Sequence, residues 1–157
     1  MTTNYWLFKS EPSVFSITDL SNAPQQITQW DGVRNYQARN FLRDSIKLND
    51  LVFFYHSNSE PSGIAGIASV VKTGYPDYTA LDPHNHHYDP KSTKDKPIWY
   101  MVDLKFEKAF NQILSLAQLK TYPELQYMML LKKGSRLSIQ PVSKEEWDFI
   151  NRLKTTD

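Results

Sequence analysis

The chain has 157 residues, with 18 Lys and Arg against 17 Asp and Glu for a formal net charge of +1. A chain of that length fits one domain with a core of its own, and so even a balance excludes a polyelectrolyte, leaving any nucleic-acid partner to a local basic patch. Cysteine is absent, which excludes disulfides, cysteine zinc sites, iron–sulfur clusters and thiol nucleophiles together.

The first element expected in chain order is a strand over residues 4–9 (NYWLFK), aromatic and buried on both faces, closed by Ser10-Glu11-Pro12. A short helix follows over residues 16–20, with Ser16 as cap and Asp19 three residues on. Residues 34–47 read as one amphipathic helix. Ala38, Leu42 and Ile46 recur every four residues beside Phe41, and Arg39, Arg43 and Lys47 repeat on the neighbouring face as a basic stripe. Asn49-Asp50 then turns the chain into a second doubly buried strand, residues 51–55 (LVFFY), which ends in His56-Ser57-Asn58-Ser59.

A third strand is expected over residues 63–71 (GIAGIASVV), where Ala65, Gly66 and Ala68 leave little side-chain bulk. Residues 74–97 read as a long surface loop and residues 98–106 (IWYMVDLKF) as a fourth strand. Helical segments at 113–120 and 123–131, a last strand at 136–142 and a terminal helix capped by Ser143 and Glu146 complete the chain. No repeat or low-complexity linker marks a boundary, so residues 1–157 are expected to form one α+β domain of five or six strands in a small closed or nearly closed sheet, with helices over its ends. Neither a signal peptide after Met1 nor a membrane helix is expected.

Two strands end abruptly in polar residues, Ser10-Glu11 and His56-Ser57-Asn58. Such ends can simply leave the core, or they can line one concave mouth with directional hydrogen-bonding groups. Trp30 beside the Asp31-Gly32 turn can cap the core, or can offer a flat face to a planar ligand. Arg34, Asn35 and Tyr36 crowd the same helix start, a density of planar and stacking groups that suits base recognition. The 21 aromatic rings of the chain exceed what a small core ordinarily uses.

KSEP at 9–12, WDGVRNYQARN at 30–40, FYHSN at 54–58, GIAGIASVV at 63–71 and RLSIQPV at 136–142 together resemble the signature blocks of the EVE domain, a family of the PUA-like superfamily that also holds the YTH and ASCH domains. The resemblance implies a small PUA-like β-barrel flanked by helices, with a pocket that receives a modified base. By position it implies Trp30 as the stacking wall, Ser10 and His56-Ser57-Asn58 at the base edge, and Arg34, Asn35 and Tyr36 at the opening. The second wall stays open between Tyr55, Tyr36 and the segment at Met129-Leu130.

The remaining candidates are weaker. His84, His86 and His87 sit in a Pro-bounded stretch and read as surface rather than as a metal site, Asp77 and Asp82 read as turn formers, and Met128 to Leu131 read as core. No phosphate-cradling or dinucleotide motif occurs. Residues 111–136 carry a net charge of +3 and residues 51–90 a net charge of −3, so Lys132, Lys133 and Arg136, or the stripe of Arg39 and Arg43, are the candidates for phosphate contact. The expectation is a non-catalytic module, with no cofactor and no metal, that binds DNA or RNA carrying a modified base. It would be cytoplasmic in a bacterium and nuclear in a eukaryote, with no membrane partner. The alternatives are an ASCH-like enzyme on nucleotides or nucleic acid, using His56 or Asp31 near a water, and a small-molecule effector module.

Overall fold

Alternate residues of the first two apolar strands point to opposite sides of one sheet, and each side carries its own core. In this computed structural model, which describes residues 3–155, β1 (Tyr5–Ser10) and β3 (Leu51–His56) pair in parallel, with Phe8 opposite Phe54 and Ser10 opposite His56. Trp6, Phe8, Val52 and Phe54 enter one cluster, while Leu7, Phe53 and Tyr55 enter the other. The period of two along a strand sends neighbours to opposite faces, and a strand packed on both faces reads as a continuous apolar run. The expectations about the segment at Met1 lie outside the described residues.

The sheet is mixed, open and six-stranded, in the order β2-β5-β4-β3-β1-β6. The α+β architecture with flanking helices is as expected; the sheet ends on β2 (Ile27–Gln29) and β6 (Ile139–Val142) instead of closing. β4 (Gly63–Pro76) and β5 (Tyr100–Ser115) form a long hairpin, each running well beyond its expected span. Four register shifts along their pairing bend this ribbon, as bulges do, so its apolar residues serve both cores. Hairpin pairing also takes residues 113–115, where a helix was expected, and leaves α3 only Leu116–Leu119. Residues 123–131 form two 3-10 turns instead of a helix.

One core lies under α1 (Ile17–Asn22) and α2 (Tyr36–Asn40), the other under α3 and α4 (Lys144–Thr155). The capping box of α1 forms as expected, Ser16 Oγ accepting from the Asp19 N–H at 3.0 Å and Asp19 from the Ser16 N–H at 2.8 Å. The single helix expected over 34–47 does not form. Asn35 is extended and caps α2 by accepting the Ala38 N–H at 3.0 Å, and Phe41–Ser45 is a wider π turn closed by the Ile46 N–H on Phe41 O. Ala38, Leu42 and Ile46 stay buried, while Arg39 and Arg43 turn to different partners, Ile98 O and Asp44.

Candidate base-binding cleft

A cleft of about 570 Å³ opens on the face of the sheet that carries Phe8 and Phe54. Its wall is Trp30, the residue after the short edge strand β2. The Trp30 N–H is held by Val102 O at 2.8 Å. The ring rests on Phe8 (centroids 5.4 Å apart), Phe54 (5.5 Å, edge-on) and Phe15 (6.5 Å, edge-on). Three aromatic neighbours fix its plane, while the ring remains part of the cleft lining. A fixed aromatic face of this kind costs little ordering on stacking.

The next four residues build the rim. Gly32 has a φ of +79°, a region that glycine enters without a Cβ penalty, and its N–H donates to Asp77 Oδ2 at 2.8 Å. Arg34 donates to Asp77 Oδ2 at 3.1 Å and to His87 O from Nε and Nη2, at 3.2 and 2.7 Å. Its guanidinium also lies 5.3 Å from the Trp99 ring centre. Arg34 thus ties the Asp-Gly turn to the 77–87 segment and carries the loop residues Asn85, His86 and His87 to the cleft.

The electrostatics of this corner follow from burial and contact. Burial pushes the Asp77 carboxyl up, but the Thr79 hydroxyl, the Gly32 N–H and Arg34 more than offset it and hold the group below the usual carboxylate range. Asp31 is raised, because burial outweighs the attraction of His87 and Asp77 adds like-charge repulsion. Burial lowers His87 and also Lys9, whose Nζ lies 3.5 Å from Ser135 O at the opposite rim. Among the described residues no group of three or more His, Asp or Glu is placed to hold a metal ion.

Of the residues singled out from sequence, Ser10, Trp30 and Arg34 come together in the cleft. Ser10 Oγ donates to Phe15 O at 2.6 Å. The others lie elsewhere. Asn35 is spent as the cap of α2, and Tyr36 is exposed, 5.0 Å from Trp99. Tyr55 faces the second core, on the far side of the sheet. His56 is buried and accepts the Ile17 N–H at 3.1 Å on Nε2; Ser57 donates its N–H to Ser10 O, and Asn58 bonds Glu11. That polar run braces the Ser10–Ile17 segment from behind instead of lining the cavity. Leu130 is buried in the second core as well, and Met129 is half-buried on the same 3-10 turn.

The two basic groups also separate. Arg39 donates to Ile98 O at 2.7 Å, and Arg43 pairs with Asp44 at 2.8 Å. Lys132, Lys133 and Arg136 are exposed on the loop that leads to Ser138, itself a cleft residue. The lining residues that sequence reasoning did not place here include Phe15, Thr28, Gln29, Asp31 as cleft lining, Ser138, and Asn85 to His87. Only the run His84-Asn85-His86-His87, in an otherwise featureless loop, hinted at the last of these.

Residues 4–153 match the EVE domain. The chain belongs to that family. It is 46% identical to thymocyte nuclear protein 1 of Homo sapiens over 169 residues, covering 97% of this chain and 74% of that protein. A structure of a Leishmania major protein superposes with a TM-score of 0.92 at 48% identity, covering 99% of this chain and 96% of the other. The human THYN1 protein in complex with DNA containing 5-methylcytosine superposes with a TM-score of 0.91 at 46% identity, covering 99% of both chains. No helix of the described residues in this EVE domain is long and apolar enough to cross a membrane.

Proposed function

We propose that this EVE domain is a non-catalytic nucleic-acid-binding module that receives a modified base, of the 5-methylcytosine kind, against Trp30. The observation that carries the reading is the wall itself: a tryptophan fixed by Phe8, Phe15 and Phe54 and left as the lining of a cleft of base-accommodating size. The human relative bound to 5-methylcytosine DNA supports the same reading.

Energetically, stacking alone does not suffice. Extruding a base costs a few kcal/mol, and one base–aromatic stack returns about 1–3 kcal/mol. A methyl group in an apolar notch adds about 0.8 kcal/mol. Net affinity then comes from the base edge, facing Ser10, Thr28 and Asp31, and from phosphates, facing the loop of Lys132, Lys133 and Arg136. Arg34 is committed to Asp77 and His87 and acts by holding the rim in shape.

The test uses DNA strands that differ at one position, 5-methylcytosine against an abasic site, with affinity measured at fixed salt. A clear preference for the methylated base supports a base-receiving cleft. Equal affinity would leave only phosphate binding and sink the proposal.

A further inference from the structure

Asp31 differs from Asp50 and Asp77, the two acids that this fold buries among the described residues. Asp50 accepts from the Asn4 N–H, Trp6 Nε1 and the Lys47 N–H. Asp77 accepts from Gly32, Arg34 and both donors of Thr79. Both are saturated and serve the fold. Asp31 is half-buried next to Trp30, yet among the described residues its carboxylate takes only its own backbone N–H. A partly desolvated carboxylate with so few donors gains from a further one, and a cleft residue is where a ligand can supply it.

The surrounding groups leave this acceptor open. Arg34, the nearest guanidinium in sequence, spends four hydrogen bonds on Val33, Asp77 and His87. Gln29 Oε1 takes the Tyr78 hydroxyl, and Asn85 Oδ1 takes the His87 N–H. Asp31 is the one acid among the described residues that line the cleft. A planar ligand lying on Trp30 therefore meets an anionic acceptor on the residue adjoining its stacking wall.

We propose that Asp31 determines which base the cleft accepts: its carboxylate takes the exocyclic amino group of a cytosine-type base stacked on Trp30 and disfavours thymine. The inference rests on the base-receiving reading above. Carboxylates accept from the cytosine amino group in direct readout, and 5-methylation leaves that edge intact. Thymine has the same ring and the same methyl group but presents a carbonyl oxygen where cytosine presents its amino group. A carboxylate meeting that oxygen gains nothing and suffers repulsion. Adenine also carries an amino group beside a ring nitrogen, so the shared chemistry is the amino edge and the experiment must separate the two bases.

Four DNA strands that differ at one position provide the test: 5-methylcytosine, thymine, adenine and an abasic site, bound by the wild type and by Asp31→Asn. The expected preference for 5-methylcytosine over thymine is about tenfold or more. In Asp31→Asn, whose amide can turn over to meet either edge, the two affinities should come within about threefold of each other, both still above the abasic strand. A wild type without the preference, or a variant that melts like the wild type and keeps it, overturns the role of Asp31 while leaving the stacked base in place. Adenine bound as tightly as 5-methylcytosine overturns the assignment to cytosine. An abasic strand bound as tightly as 5-methylcytosine removes the base-receiving reading itself.

Discussion

The His87 imidazole occupies the space that a side chain on Gly32 would need: a Cβ built there would lie 2.5 Å from Nε2. Two constraints therefore meet at one residue, since Gly32 also has a φ of +79°. Gly32→Ala is expected to destabilise the fold by about 1–3 kcal/mol from the backbone conformation alone, with the clash added. Adding His87→Ala should relieve the clash but not the backbone part, so in a double-mutant cycle in urea the double variant will lose less stability than the sum of the two single losses. Strictly additive losses would mean that the imidazole swings away freely and that the rim is not built on this contact.

Trp30 contributes to the core and to the cleft at once, and the two roles separate by measurement. Trp30→Ala is expected to weaken binding of a 5-methylcytosine strand by about 1–3 kcal/mol, beyond its effect on an abasic strand. The variant will also melt lower, because Phe8, Phe15 and Phe54 lose a partner. Trp30→Phe should keep most of the stability and part of the stacking. A Trp30→Ala protein that still unfolds cooperatively and binds the methylated strand undiminished would remove Trp30 from the site.

What was legible in the sequence was the part set by local pattern. NYWLFK and LVFFY declare doubly buried strands, and Ser16 with Asp19 declares a helix start. The side of the sheet each residue takes was also implicit in parity: Tyr55, one residue past Phe54, must face away from Trp30, and the cleft cannot use it. His56 returns to the Trp30 side but lies under α1, where the Ile17 N–H needs an acceptor. The rest depends on contacts between distant segments. Nothing near Gly32 or His87 announces that residues 55 apart in the chain will touch, and β2 is three residues whose pairing with β5 has no local signature. The helix over 34–47 misled because an apolar row at every fourth residue is satisfied equally by a short α-helix that widens into a π turn.

His56 gives a pH dependence with a definite sign. Its Nε2 accepts the Ile17 N–H, so the ring is neutral in the fold, and burial lowers its pKa. The unfolded chain binds a proton below the ordinary imidazole value of about 6.5, whereas the folded chain resists it. Stability contributed by the neutral ring is therefore whole above that pH and is lost as pH falls from there toward the depressed folded value. Urea unfolding at pH 7.5 and 5.5 should show the loss. His56→Gln, which keeps an acceptor for Ile17, should flatten it, leaving the part due to His87, whose pKa is also lowered. An identical pH slope in His56→Gln would assign the whole effect to other groups.

The proposed phosphate contacts can be located by salt. Arg39 and Arg43 are engaged within the fold, the one by Ile98 O and Asn40, the other by Asp44, and drawing them to a phosphate means breaking those bonds. Lys132, Lys133 and Arg136 are exposed with no hydrogen bond or ion pair of their side chains among the described residues. They also share a loop with Ser138 at the cleft. Each phosphate contact releases counterions and steepens the fall of log K with log salt by about 0.7 on single strands and about 0.9 on duplex. Replacing Lys132, Lys133 and Arg136 with Glu should flatten that slope by about 2 in all and weaken methylated and unmethylated strands alike, because phosphate contacts carry no base identity. Arg43→Glu should change the slope far less. The opposite ranking, with the slope intact after the triple change and flattened by Arg43→Glu, would place the strand across α2 and the π turn instead of along the loop to β6.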